Sequence, residues 1–260
     1  MDHSDPAVHN RRAWDLLVEK GDQWTKPVSS EKIAAARKGD WKIVLTPEKP
    51  IPKDWLTPVA GKKILCLAGG GGQQAPILAA AGADVTTLDN SPGQLEQDQV
   101  VAKREGLTIG SVLGDMRDLS AFEDETFDLI VNPCSNSFVP DVNPVWRECF
   151  RVLKAGGSLL VGFINPVTHI FDYDKMEAGE LEVRHKIPYS DYDLPDAERQ
   201  KLIDSDEPLW FGHSLDDQIG GQIKAGFAIT GFYEDRWKEL SALSDYIDLF
   251  IATRATKPGE

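Results

Sequence analysis

Apolar positions recur at helical spacing through the first forty residues and then give way to prolines. Trp14, Leu17 and Val18 form one stripe and predict a helix over 9–20. A second helix is predicted over 30–38, with Ser29 or Ser30 able to cap it and Gly39 ending it. Pro47, Pro50, Pro52 and Pro58 then predict an extended linker on the surface. From Lys63 onward, apolar runs of strand type alternate with helical stretches. Strands are predicted at 63–67, 85–89, 111–113, 127–132 and 158–163, with helices at 73–81, 92–105 and 140–153 between them. Lys154-Ala155-Gly156-Gly157 is read as the end of the last of these helices. A further helix over 213–225 and two closing strands at 227–233 and 246–254 complete an α/β pattern.

The chemistry is concentrated in 64–89. A strand runs into four consecutive glycines, Gly69 to Gly72, and an Ala-rich helix follows. The next strand closes on Asp89, 17 residues after Gly72. Glycines let the backbone turn sharply and let a ligand approach it closely. Free N–H groups at the start of a helix face that ligand with partial positive charge. An acid at this spacing can accept hydrogen bonds from both hydroxyls of a ribose. The unit therefore reads as a site for an adenosine-containing cofactor, the plainer alternative being a glycine turn without a ligand. Gly70-x-Gly72-x-x-Ala75 also fits the looser dinucleotide fingerprint, which admits an NAD-dependent oxidoreductase. Asp115 closes the third strand, where it can accept an adenine amino group beside the Met116 amide, or else cap a turn.

Composition narrows the setting. The 260 residues suffice for one large α/β domain with a cap. A net charge of −14 argues against a broad phosphate-binding face, so nucleic acid is not the expected substrate. Cys66, Cys134 and Cys149 are odd in number and form no C-x-x-C pair, which predicts reduced thiols in a cytoplasmic protein. The N-terminal stretch lacks the apolar core of a signal peptide, and no apolar run is long enough to span a membrane. Histidine spacing suggests no metal site.

Taken together, the glycine turn, Gly114-Asp115-Met116, Phe127-Asp128-Leu129-Ile130 and Leu153-Lys154-Ala155-Gly156-Gly157-Ser158-Leu159-Leu160 resemble the successive motifs of class I S-adenosylmethionine-dependent methyltransferases, over about 60–166. On that alignment Gly70 and Gly72 match the first motif. Cys66 stands where the family has an acid that helps hold the cofactor loop or the methionine end, and Ala68 replaces the first glycine. The resemblance implies a Rossmann-like seven-stranded methyltransferase sheet, mostly parallel with an antiparallel last strand and helices on both faces. It implies S-adenosyl-L-methionine held by Ala68, Gly69, Gly70 and Gly72, with Asp89, Asn90 and Gln94 at the ribose side. Asp115 and Met116 would meet the adenine, and Pro133, Cys134 and Ser135 would lie under the methionine end. The whole chain, including Asn10-Arg11-x-Ala13-Trp14, also resembles a group of bacterial methyltransferases. A cofactor-binding protein without catalysis is a further reading, kept open by Cys66 and Ala68.

The flanks of this core are expected to build the acceptor pocket. Residues 1–58 read as a helical cap and linker, and 59–260 as the cofactor domain with an acidic insert at 167–208. That insert holds twelve acidic against five basic side chains, which predicts a solvated face or a lid favouring cationic or neutral molecules. Asn10, Arg11, Trp14, Asn136 and His169 are the candidate substrate residues. His169 and His213 are the candidate bases, should the acceptor require one. The tryptophans Trp24, Trp41 and Trp55 either wall the pocket or fasten the cap to the core.

Overall fold

In a computed structural model that describes residues 5–56, 58–237 and 242–259, α1 (Pro6–Lys20) starts on Asp5, whose carboxylate accepts the Ala7 N–H, and ends at Gly21 in the left-handed conformation. After α2 (Ser30–Ala36) come β1 (Lys63–Leu67), α3 (Gln74–Ala80), β2 (Asp84–Asp89), α4 (Pro92–Glu105), β3 (Ile109–Leu113), β4 (Phe127–Asn132), α5 (Asn143–Val152) and β5 (Leu153–Ile164). The insert contributes α6 (Tyr173–Glu177), β6 (Tyr189–Ser190), α7 (Asp196–Asp204) and β7 (Phe211–Gly212). The chain closes with α8 (Gly221–Lys224), β8 (Ala228–Asp235) and β9 (Phe250–Thr256).

Seven strands form one sheet in the order β3-β2-β1-β4-β5-β9-β8. β1 to β5 run parallel, and β9 is inserted antiparallel to both β5 and β8. Strand alternation divides the core in two. Ile64, Cys66, Leu129 and Val131 face one layer, which α3 and α4 cover. Leu65, Leu67, Phe127 and Ile130 face the other, where Trp146, Cys149 and Val152 of α5 are fully buried. The chain reverses its order across the sheet where β1 lies between β2 and β4, and ligands of such sheets bind beyond the carboxyl ends of those strands.

The proline-rich linker is not a surface strap. Ile43, Leu45, Ile51 and Trp55 are buried in the same layer as Ile64 and Leu160. The carbonyl oxygen of Leu45 would lie 2.1 Å from a Cβ at Gly162 of β5, so the glycine in that strand admits the linker backbone. Prolines prevent a helix here but do not prevent burial of the apolar residues between them. Trp55 packs on Tyr233 at 5.4 Å and fastens the segment to β8. Lys154–Gly157, expected to end a helix, lie inside β5. A register shift between Phe127↔Leu153 and Leu129↔Ser158 absorbs them. The helix expected over 213–225 is present over 215–224, wound as a π-helix at Asp216–Gly220 and running directly into α8. Of the last strand, predicted over 246–254, only the part from Phe250 is extended, and it runs on to Thr256; a tight helical turn at Ala242–Asp245 precedes it.

Candidate functional site

The carboxyl ends of the strands carry the expected cofactor residues. β1 delivers Ala68, whose φ of 46° is left-handed and whose N–H donates to the Leu88 carbonyl at 2.7 Å. That backbone conformation favours glycine, which explains why an alanine here departs from the motif. β2 delivers Asp89. Its two carboxylate oxygens accept the Gly70 N–H at 3.1 Å and the Ser91 N–H at 2.9 Å. Burial pushes Asp89 up to about 6, against the pull of these N–H bonds and with the nearby Asp15 adding to the rise. Each oxygen keeps a further lone pair for another donor.

The glycines themselves do a different job from the one expected of them. A Cβ at Gly70 would lie 2.8 Å from Gln94 Cβ, at Gly71 2.8 Å from the Trp24 carbonyl, and at Gly72 2.9 Å from Pro27 Cβ. The space they free is filled by α4 and by the segment after α1. Gln94 packs beneath the turn, with its side-chain oxygen buried and accepting no hydrogen bond from a described residue. The N–H groups are engaged as well: Gly70 on Asp89, Gly71 on the Gln94 carbonyl at 2.9 Å, and Gly72 on Asp98 Oδ1 at 2.8 Å. Asp98 is fully buried, and burial raises it to about 7 while the Thr87 hydroxyl and the Gly72 N–H pull it down. The carboxylate missing at Cys66 thus has a counterpart on α4. Cys66 is fully buried, and that burial raises its thiol far above the ordinary range. Asp98 was detectable as an acid in the apolar stripe Leu95, Asp98, Val101, Ala102 of α4.

Beyond β3, Asp115 takes the turn-capping alternative. It accepts the Arg117 N–H at 2.8 Å and pairs with the Arg117 guanidinium. Met116 is buried against Leu65 and Leu88. Beyond β4, Pro133 lies against the Gly69 position at 3.2 Å, and the Cys134 thiol, pushed up to about 12 by burial, donates to the Leu45 carbonyl at 3.3 Å. Asn132 donates to the Leu67 carbonyl and to Ser135 Oγ, both at 2.8 Å. Asn136 donates to Gln218 at 3.1 Å. The side-chain oxygens of Asn132 and Asn136 are buried and accept no hydrogen bond.

On the acceptor side, α1 and the insert close over the loop after β4. Asn10 is buried and fully engaged, donating to the Phe138 and Leu209 carbonyls at 3.0 and 3.1 Å and accepting the Leu209 N–H at 2.7 Å. Arg11 is held on Asn90 by bonds of 3.0 to 3.2 Å, and Trp14 meets Phe138 edge-on. These three substrate candidates are therefore ties between elements. His213 is buried with Nε2 donating to the Asn136 carbonyl at 3.1 Å, which fastens its ring to the loop after β4. His169 stands apart, half-buried among aromatic rings. Trp210, Tyr189 and Asp15 complete the neighbourhood and lack any motif; only the finished fold brings them there.

The donor set fits a positively charged, ribose-bearing group. A buried carboxylate ends β2, unsatisfied amide oxygens lie at Asn132, which ends β4, and at Asn136 beyond it, and no lysine or arginine among the described residues bonds to Asn132, Ser135 or Asn136. Together with the antiparallel β9, this defines the class as a methyltransferase sheet. The comparisons agree. A family model described as a methyltransferase domain matches residues 65–161. The uncharacterized methyltransferase YbaJ of Bacillus subtilis is 56% identical over 251 residues, covering 96% of this chain and 98% of that protein. A ubiquinone biosynthesis O-methyltransferase of Xylella fastidiosa is 25% identical over 88% of this chain and 90% of its own length. An S-adenosylmethionine-dependent methyltransferase from Mesorhizobium loti superimposes with a TM-score of 0.60 at 19% identity, covering 78% of this chain and 94% of that one. One from Methanosarcina mazei gives 0.57 at 19% identity over 80% and 97%. The chain belongs to the class I S-adenosylmethionine-dependent methyltransferases. It is an enzyme of that class with S-adenosyl-L-methionine as its cofactor, which removes the oxidoreductase and the non-catalytic readings. No helix among the described residues is long and apolar enough to cross a membrane, and none of their His, Cys, Asp and Glu side chains cluster as a metal site.

Proposed function

We propose that the enzyme methylates a small-molecule acceptor held between the loop after β4, α1 and the insert. The observation that carries this reading is the pair of buried, unsatisfied oxygens of Asn132 and Asn136, which adjoin Ser135 on one side and His213 on the other. Buried amide oxygens without a donor suit a cation, and their dipoles need no reorganisation during reaction. The cofactor supplies an electrophilic methyl on a positively charged sulfur. In this reading Asp89 takes the ribose hydroxyls and the Ala68–Gly69 backbone lines the floor. Asn90 braces the ribose side, and Pro133, Cys134 and Ser135 lie under the methionine end. Asp115 and Met116 border the adenine, with Asp115 shared with Arg117.

Holding the acceptor's nucleophile in line with the methyl supplies much of the acceleration, because positioning replaces a bimolecular encounter. The acidic insert and the overall negative charge favour a small acceptor over nucleic acid. The Xylella relative is named for O-methylation, which is consistent with an oxygen nucleophile. Residues 1–58 act as the cap, 59–260 as the catalytic domain, and 167–208 as the acceptor-side insert. The three unpaired thiols suit the cytoplasm. The test is calorimetry of S-adenosylmethionine binding to the wild type and to Asp89→Asn, followed by S-adenosylhomocysteine release with a panel of small acceptors. Unchanged affinity in Asp89→Asn would remove the ribose role. Release only with macromolecular acceptors would remove the small-molecule reading.

A further inference from the structure

His169 follows β5 in the short helical turn Pro166–Ile170 and sits on the two-stranded ribbon of β6 and β7. Tyr189 and Gly212 are paired across that ribbon. The imidazole stacks on Tyr189 at 5.6 Å, with 11° between the planes. A Cβ at Gly212 would lie 2.7 Å from its ring, so the glycine makes room for it. Trp210 flanks it at 6.4 Å and continues through Phe138 at 4.9 Å to the loop that carries Asn136. Neither ring nitrogen of His169 bonds to another described residue, although the ring is largely covered.

Electrostatics at this shelf are close to neutral. Burial, followed by the neighbouring His213 and His185, holds His169 down at about 4, so it is uncharged at neutral pH. Arg184 of the insert is paired with Asp172 and Glu198, and Asp191 is occupied by the Tyr189 hydroxyl and the Trp210 N–H. An anionic acceptor would find no free guanidinium among these groups, and a desolvated charge without a partner is costly. Flat aromatic walls and one unpartnered imidazole instead match a flat, uncharged ring bearing a hydroxyl.

We propose that His169, Tyr189 and Trp210 form the acceptor subsite, that the acceptor is a neutral phenol or enol, and that a ring nitrogen of His169 receives its hydroxyl hydrogen. This rests on the methyltransferase reading and adds the acceptor class. Methylation replaces the hydroxyl proton by the methyl: the O–C bond forms, the C–S bond breaks and its electron pair stays on sulfur. The proton passes to His169 and from there to solvent.

The test uses para-cresol, para-hydroxybenzoate and para-methylcyclohexanol, which share a hydroxyl but differ in charge and planarity. Calorimetry with S-adenosylhomocysteine present reads acceptor binding, and product release reads turnover. We expect cresol to bind and to exceed each of the other two at least about ten-fold in kcat/KM, a gap of about 1.4 kcal/mol. His169→Ala and Gly212→Ala are each expected to lower cresol turnover about 100-fold or more, within the range of acid–base contributions. Both variants should keep wild-type cofactor affinity, which also reports that they fold. Preference for the benzoate, no cresol turnover by protein that binds cofactor, or full turnover by His169→Ala would each overturn the proposal while leaving the cofactor site intact. Loss of cofactor binding in His169→Ala would overturn it too, by making the histidine part of the scaffold.

Discussion

Asp98 Oδ1 lies 2.8 Å from the Gly72 nitrogen and accepts its N–H, so a carboxylate on α4 fixes the end of the glycine turn from behind. Asp98→Ala leaves that buried N–H without a partner, which costs about 1–3 kcal/mol. The variant should melt at lower temperature and bind S-adenosylmethionine less tightly. Asp98→Asn, whose amide oxygen can still accept the bond, should recover most of the melting temperature. Thermal denaturation and calorimetry on the two variants check this; equal behaviour of Ala and Asn would remove the role assigned to the hydrogen bond.

Asp89 gives the enzyme a pH signature. Its carboxyl rises from 3.8 to about 6 in the folded chain, chiefly through burial. Between these values the folded protein keeps a proton that the unfolded chain has released, so this group's contribution to stability falls as pH rises through that window. In the proposed role, ribose hydroxyls donate to the ionised form, so cofactor affinity should increase as pH rises through about 6. Asp15 and Asp98 also act on this network, and Asp89→Asn isolates the effect by flattening the profile. Calorimetric titrations on both sides of that value read it directly.

Ala68 holds a left-handed φ of 46° without the freedom of a glycine. Such a conformation costs an alanine about 1–2 kcal/mol, partly offset by the larger unfolded-state entropy of glycine. Ala68→Gly should therefore stabilise the fold by about 0.5–1 kcal/mol, measured by chemical denaturation. A destabilised variant would show that the alanine methyl, packed against the core layer beneath α5, matters more than the backbone strain.

Asn10 joins three elements with one amide. Asn10→Ala removes the partners of the Leu209 N–H and of two carbonyls, a loss of about 1–3 kcal/mol. Hydrogen exchange should accelerate at the Leu209 amide before it does in β1 or β4. Uniform acceleration would mean that α1 and the insert open only with the whole molecule.

The sheet was legible because its strands are short apolar runs between capped helices, with punctuation such as Ser91-Pro92 and Gly82 at the boundaries. The placement of Asp89 at the end of β2 beside the glycine turn was legible through the spacing of Gly72 and Asp89. Three things were not. Glycines at 70–72 announce close approach but not what approaches, and here it is Gln94, Trp24 and Pro27. Asn10 and Arg11 have the polar chemistry of ligand residues, yet their partners lie about 80 to 200 residues away and no local pattern reports them. The tie between Asp98 and Gly72 crosses 26 residues. It shows in sequence only as a misplaced acid on an apolar face.

The Leu45 carbonyl receives both the N–H and the thiol of Cys134 and rests against the bare backbone of Gly162. One peptide unit of the linker thereby covers bare backbone of β5 and ties it to the loop after β4. A shortened chain beginning at 59 would leave that backbone uncovered, together with the apolar wall over Ile64 and Leu160. Residues 59–260 are thus no detachable module, and grafting them onto another cap would mean rebuilding the sheet's own interior.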